Sequence, residues 1–273
     1  MKKIFYIALM ISSLFLTGCE EVVDVDLETA APRLVIDASI NWEKETPGTV
    51  QTIKLTTTTG YYNTEIPVVS NATVFITNSR GFVYNFTETP GTGSYVCANF
   101  LPESGQTYVL TVINDGQTYT ATETLYDVPN VTHIQQTDNG GFLGEDKEVR
   151  FFFNDPADEE NYYMVRYDTD VIPFPEYDVM EDRFTNGNEM FNYFSHEDLK
   201  TGDKLDIKLY GISKQYYNYM AKLLDVAGGS GGGPFTTPPA TVRGNVVNQT
   251  DESNYALGYF RLSQVYQFTY PVN

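Results

Sequence analysis

Turn residues break this chain so often that long helices are excluded over most of its length. From Pro32 onward, short runs of β-branched and aromatic residues are separated, about every 8–12 residues, by turns rich in Gly, Pro or Asn. Residues 34–40 end in the polar stretch 41–48, and 49–59 alternate Ile53 and Leu55 with Val50, Thr52 and Lys54. Residues 72–77 meet 82–86 across Asn78-Ser79-Arg80-Gly81, and Pro90-Gly91-Thr92-Gly93 leads into 94–97. Asp115-Gly116 lies between 107–112 and 118–121, a strong hairpin signal because both central positions of such a turn take positive φ. Strands at this spacing predict a mainly β fold of the β-sandwich class.

A boundary is expected near residues 125–130, where Asp127-Val128-Pro129-Asn130 interrupts the strands. This divides the chain into an N-terminal sandwich over 32–126 and a C-terminal β domain with loop insertions over 127–273. In the second unit 131–134, 149–153, 162–167 and 204–209 read as strands, with an acidic turn over 154–161. Pro173, Pro175 and scattered aromatics make 171–196 a long ordered insertion or loop, and 255–262 and 265–270 read as two closing strands. One helix is predicted, near 213–227. Ser213 can cap it, and Tyr216, Tyr219, Met220, Leu223 and Leu224 share one face at helical spacing. The glycines between 228 and 233, followed by Pro234, stop it.

Upstream of Pro32 the chain changes character. Met1-Lys2-Lys3 precedes an apolar run over 4–16, shorter than the ~20 residues a spanning helix needs. A basic start, an apolar centre and small residues at the end describe a secretory leader over 1–18. It closes with Leu16-Thr17-Gly18-Cys19, which resembles the lipobox of bacterial lipoproteins. The resemblance implies cleavage before Cys19 and acylation of its thiol and new amino group, with that lipid the one covalent addition expected and no other cofactor. Several acyl chains on one residue anchor stably where a single chain does not. Residues 19–31 then form an acidic tether, with Glu20, Glu21, Asp24, Asp26 and Glu28 and no basic residue before Arg33. Acidic residues directly after a lipidated cysteine resemble the surface-export signal of Bacteroidota lipoproteins. The localisation implied is the outer membrane, facing the cell exterior. A solvated tether needs only the same polarity.

The 36 acidic residues outnumber 17 basic ones, for a formal charge of −19 that becomes −21 if Lys2 and Lys3 leave with the leader. Such a field argues against nucleic acid or an anionic membrane face as a partner, since both reward Lys and Arg; the membrane is met through the lipid only. With Cys19 acylated, Cys97 is unpaired and reads as filling a strand position. No catalytic set emerges, and the chain reads as a binding or accessory component rather than an enzyme. The glycine run closes a helix instead of opening one and lacks the Gly-Lys-Ser or Gly-Lys-Thr of a phosphate loop. His133 and His196 are too few for a zinc site, and Ser195-His196-Glu197-Asp198 are too close in sequence to form a relay among themselves. Asp155, Asp158, Glu159 and Glu160, and likewise Asp178, Glu181 and Asp182, lack calcium-loop spacing and read as solvated turns; no metal ligand is assigned. The aromatics are more suggestive. Doublets such as Tyr61-Tyr62, Tyr162-Tyr163 and Tyr216-Tyr217 place one ring inward and one outward where they fall on strands, and exposed tyrosine offers rigid contact area. The contact candidates are Phe174, Tyr177, Phe191 and Tyr193 in the aromatic insertion, and Gly231, Pro234 and Phe235 in the glycine-rich loop.

Val74, Ile76, the turn before Gly81, Gly93-Ser94-Tyr95 and Gly105-Gln106-Thr107-Tyr108 make the first unit look like the carboxypeptidase-regulatory or collagen-adhesin B type of immunoglobulin-like sandwich. The strand, acidic turn and strand over 149–167 resemble a fibronectin type III-like sandwich. Pro234-Phe235-Thr236-Thr237-Pro238-Pro239-Ala240-Thr241-Val242-Arg243-Gly244-Asn245-Val246-Val247-Asn248, then Asn254-Tyr255-Ala256-Leu257-Gly258-Tyr259-Phe260, resemble the Bacteroidota lipoprotein family of domain of unknown function 4249. The likeness extends to Ser213-Lys214-Gln215-Tyr216-Tyr217-Asn218-Tyr219 and to the stretch after Cys19, so it covers nearly all of the mature chain. It implies context more than chemistry: an accessory or lid-like partner of a TonB-dependent, starch-utilisation-type outer-membrane transporter, with an oligosaccharide or a peptide as ligand. The alternative is a structural or adhesive surface module with no transporter partner.

Overall fold

The computed structural model describes residues 31–60, 62–157, 159–228 and 242–273. Among these described residues, fifteen strands and one helix follow Pro32. The first seven strands are β1 (Leu34–Glu43), β2 (Gln51–Thr57), β3 (Thr73–Asn78), β4 (Val83–Thr89), β5 (Ser94–Cys97), β6 (Thr107–Asn114) and β7 (Gln117–Thr124). Each alternates buried and exposed positions, so one face of every strand supplies apolar side chains to a common core. Strand β4 pairs with β3 through Val83–Phe86 and with β5 through Thr87–Thr89, and by changing partners it joins the two layers of the sandwich. Ile36, Ile53, Ile76, Tyr95, Tyr108 and Leu110 fill the space between. The two tyrosines among them find partners for their hydroxyls. Tyr95 donates to the Val69 carbonyl and Tyr108 to the Leu101 carbonyl, each at 3.0 Å. Asp115 and Gly116 both take positive φ, as the β6–β7 hairpin requires.

The second sandwich comprises β8 (Val131–Gly140), β9 (Asp146–Asn154), β10 (Tyr162–Asp168), β11 (Glu176–Glu181), β12 (Glu189–His196), β13 (Lys204–Ile212) and the far half of β15 (Leu257–Pro271). Its three-stranded layer runs β12-β9-β8 and its four-stranded layer β11-β10-β13-β15, the three-on-four arrangement of a fibronectin type III domain. Phe151, Phe153, Tyr163, Tyr167, Phe194, Leu205 and Leu209 form its core. The expected insertion over 171–196 is instead two strands, β11 and β12. Prolines 173 and 175 confine their effect to the connection before β11, where no ladder bond needs their missing N–H.

The helix α1 (Lys214–Gly228) begins where the sequence places it, with Ser213 accepting the Tyr216 N–H at 3.1 Å as its cap. Its apolar face lies on the outer side of the four-stranded layer, so Tyr216 and Met220 pack with Tyr162, Met164, Tyr210, Ile212 and Tyr259. This revises the reading of the Tyr162-Tyr163 doublet. Tyr163 points into the core and Tyr162 points outward, yet both are buried because the helix covers the outer side. Two of the acids expected in solvated turns are also buried. Asp155 accepts from the Tyr163 hydroxyl (2.6 Å) and the Gly187 N–H (3.0 Å), and Asp182 accepts from the Asn161 N–H (2.8 Å). Each satisfies backbone that the turns leave without a ladder partner.

Strand β15 is one continuous strand of 15 residues, not two. From Leu257 to Val265 it runs parallel to β1, and from Val265 to Pro271 it runs antiparallel to β13. Ser263 and Gln264, which looked like a break, are buried at the changeover, where the Gln264 N–H reaches the Tyr126 carbonyl (2.9 Å). The first core consequently draws on both ends of the chain: Val246, Ala256, Phe260 and Leu262 belong to it, and the two-residue β14 (Val247–Asn248) adds to β7.

The stretch that carries the family resemblance builds this junction. Asn245 replaces a strand partner along the free edge of β15, donating to the Phe260 carbonyl (2.8 Å) and accepting the Phe260 N–H (2.9 Å). Gly258 takes φ +90°, and a Cβ there would sit 2.1 Å from the Ile36 carbonyl oxygen; a Cβ on Gly244 would sit 1.6 Å from the Gly258 carbonyl oxygen. Glycine is needed at both because three backbones stack without room for a side chain. The guanidinium groups of Arg33 and Arg243 lie 3.8 and 3.9 Å from the Tyr255 ring centre.

Candidate binding site at the distal end

Strand β15 sets a long axis for residues 32–273. Leu257 lies beside Val35, near the first described residues, whereas Pro271 lies beside Lys204 at the other end. Fifteen residues at ~3.3 Å each place these ends roughly 45 Å apart. The loops at the far end are 141–145 between β8 and β9, 169–175 between β10 and β11, and 197–203 between β12 and β13, joined by the C-terminal residues through Gly202 N–H to Val272 carbonyl (2.8 Å).

Large apolar side chains stand in solvent at this end. Phe142 and Leu143 tip the β8–β9 turn, which Gly141 and Gly144 allow by taking positive φ, and Phe174 projects from the β10–β11 connection with 79% of its surface exposed. Between the first of these loops and the start of β11 is an open cleft of about 450 Å³, lined by Gly141, Phe142, Asp146, Tyr167, Glu176, Tyr177, Asp178, Asn192, Tyr193 and Ser195. Its floor is a fixed polar chain. The buried Tyr167 hydroxyl donates to Asn192 Oδ1 (2.7 Å), and Asn192 Nδ2 donates to Asp178 Oδ2 (2.6 Å), tying the two layers together at their edge. Glu176 stays exposed to solvent at the cleft's rim; partial desolvation first, and the neighbouring Asp178 second, raise its carboxyl above its ordinary range. Burial also raises the Tyr167 hydroxyl well above its usual value, so it remains a donor.

Beside the cleft, the outer side of the three-stranded layer carries a second aromatic group. Phe191, Phe152 and His133 occupy one row across β12, β9 and β8, and Tyr193, Arg150 and Gln135 the next. His133 stacks on Phe152 with ring centres 4.3 Å apart and planes 5° from parallel, and Phe152 meets Phe191 at 5.6 Å. The Arg150 guanidinium, bonded to the buried Glu148, lies between Phe191 (5.4 Å) and Tyr193 (5.9 Å). His133 and Phe152 stack face to face whereas Phe191 is tilted 36° to Phe152, so the row does not form one flat platform.

Of the contact candidates read from sequence, Tyr177 and Tyr193 come together in the cleft, Phe191 stands one row away on the sheet face, and Phe174 lies on the neighbouring loop. Tyr177 is half-buried, with the Arg166 guanidinium 5.6 Å from its ring. Gly231, Pro234, Phe235 and Cys19 lie outside the described residues. Sequence reading passed over Phe142 and Leu143, whose signal was two large apolar residues inside the glycine turn Gly140-Gly141-Phe142-Leu143-Gly144. It also missed Glu176 and Asn192, which become neighbours only once the sandwich closes. Among the described residues no three His, Cys, Asp or Glu side chains meet in metal-holding geometry, and no helix is long and apolar enough to cross a membrane.

Solved structures with a similar course include a two fibronectin type-III domain segment from chicken tenascin, at 14% identity over 66% of this chain and 90% of that one, with a TM-score of 0.22. A cytokine receptor complex matches at 9% identity over 67% of this chain and 86% of that one, with a TM-score of 0.26. The fold assignment rests on the strand order above. No curated protein matches the sequence. Residues 20–269 match the family model described as domain of unknown function (DUF4249), and the chain belongs to that family.

Proposed function

We propose that this DUF4249 chain is an outer-membrane surface lipoprotein, anchored through Cys19, that serves a TonB-dependent nutrient transporter as an accessory or ligand-capture partner. The observation that carries the reading is the separation along β15. The tether enters at Arg33, and the exposed Phe142, Leu143 and Phe174, with the cleft between loops, stand roughly 45 Å away at the opposite end. Placing recognition loops at the end of the two sandwiches opposite Arg33 suits contact with something beyond the membrane surface. The leader, the Leu16-Thr17-Gly18-Cys19 pattern and the acidic residues after it support export and lipidation.

Affinity capture of the acylated protein from gently solubilised outer membranes, with mass spectrometry of the eluate, tests the reading. A transporter recovered in stoichiometric amount is expected. Good recovery of the protein alone would shift the reading to an adhesive or spacer module, which the stiff shared strand also suits.

A further inference from the structure

We infer that the outward edge of β15 beyond Val265 is a docking site for an extended segment of a partner polypeptide, which adds to the four-stranded layer as a further strand on the side taken by β1. The inference goes beyond the reading above and holds whether or not that partner is a transporter. Alternating hydrogen bonds along β15 identify the edge. The Val265 carbonyl accepts from the Lys44 N–H (2.9 Å) on the β1 side, whereas the Val272 N–H donates to the Asp203 carbonyl (2.9 Å) on the β13 side. Odd-numbered residues of this half therefore turn away from β13, and β1 ends opposite Val265. Beyond that point the N–H groups of Gln267 and Thr269, and the carbonyls of Gln267, Thr269 and Pro271, face outward with no partner among the described residues. Backbone donors and acceptors repeating at strand spacing are matched in number and direction by another extended backbone.

Other edges are obstructed against such an addition. On β11, β12 and β7 the side chain one residue earlier accepts an outward N–H: Asp178 from Val179 (2.8 Å), Asn192 from Tyr193 (2.7 Å) and Glu123 from Thr124 (3.0 Å). Asn245 caps the opposite side of β15 at Phe260. The edge beyond Val265 has no such cap, and the exposed Gln267 and Thr269 put no charge beside it. On the inner face, Tyr266, Phe268 and Tyr270 pack against the second core yet stay partly exposed, as do Val131 and Ile134 of β8. The layers are tied at the two ends of this stretch, by Lys44 Nζ to Asn130 Oδ1 and by Gln136 Nε2 to the Asn273 carbonyl (2.6 Å each), which leaves the aromatic row between them partly uncovered. A strand with an apolar side chain at every second position covers that row while its backbone pairs with the edge.

The probe is a fluorescein-labelled peptide of sequence Lys-Val-Thr-Val-Thr-Val-Lys, and its control is the same peptide N-methylated at the valines, which keeps side chains and charge but removes backbone donors. Binding to the full protein is read by fluorescence anisotropy, and amide hydrogen exchange is followed residue by residue. With peptide bound, exchange at Gln267 and Thr269 should slow about tenfold. Binding should weaken about tenfold in Gln267→Pro and stay within about twofold of the parent in Gln267→Ala. Because the Gln267 N–H faces away from β13, proline there removes an outward donor and leaves the ladder to β13 in place; Thr269→Pro serves if that variant melts early. Equal binding of the N-methylated peptide, parent-like binding by the proline variant, or unchanged exchange at both residues would each overturn the inference. So would failure of the peptide to bind. Slow exchange at both residues without peptide, together with a doubled sedimentation mass, would also overturn it by giving the edge to a second copy of the chain.

Discussion

Replacing Gly258 by alanine isolates the contact on which the two-sandwich architecture depends. The residue takes φ +90° within β15, and its missing Cβ would lie 2.1 Å from the Ile36 carbonyl oxygen of β1. Two costs follow. Holding a non-glycine residue at positive φ costs about 1–2 kcal/mol. The clash is with backbone, so it is relieved only by moving one strand, which breaks ladder bonds on either side of the Ile36–Gly258 pair. Two such bonds at about 1 kcal/mol each, in a buried place, bring the total to roughly 3–5 kcal/mol. Gly116→Ala supplies the control. Gly116 takes φ +73° in the β6–β7 turn with no atom within 4 Å of a Cβ, so it reports the backbone cost alone. Equilibrium unfolding in urea separates the two. With a slope of about 2–3 kcal/mol/M, Gly258→Ala should lower the midpoint by about 1–2 M, and Gly116→Ala by about 0.5 M. Equal shifts for the two variants would refute the close passage of β15 over β1, and with it the strand shared between sandwiches.

Three further outcomes are expected. Asn245→Ala removes both side-chain bonds to the Phe260 backbone and should cost about 2–4 kcal/mol in the same urea measurement, because the stranded N–H and carbonyl are buried. Glu123 is buried at the end of β7, accepts from the Ser213 hydroxyl (2.9 Å), and has its carboxyl raised chiefly by burial. A raised folded-state carboxyl adds stability that is present below its unfolded value and lost as pH rises through the folded one, so Glu123→Gln should gain relative to the parent at pH 7 and not at pH 4, as read from paired melts. Finally, Cys19→Ser should abolish incorporation of labelled palmitate and release the protein from the membrane fraction; continued membrane retention without label would contradict lipid anchoring.

Local chemistry made much of the fold legible. Period-two alternation in residues such as Ile53, Leu55, Val74 and Ile76 marks strands because side chains on a strand must alternate between faces. Asp115-Gly116 marks a hairpin because few residues accept its backbone angles, and Ser213 marks a helix start because its oxygen can satisfy an otherwise free N–H. These signals act within a few residues of one another. Three of the named contact candidates, Tyr177, Tyr193 and Phe174, do reach the same end of the molecule, for aromatic side chains on edges and loops have few places to be buried.

What sequence alone could not decide is which distant segments meet. Whether Tyr162 is exposed depends on α1, some fifty residues later, and whether Asp155 is solvated depends on Tyr163 and Gly187. Glycines 244 and 258 read as parts of a motif without a role until the strands stack; only then do they mark the passage of one backbone over another. The cleft likewise exists only after β11 and β12 become edges of facing layers and bring Asp178 to Asn192. Strand pairing over two hundred residues is settled by which apolar faces can be covered together, a property of the assembled core and not of any window of the chain.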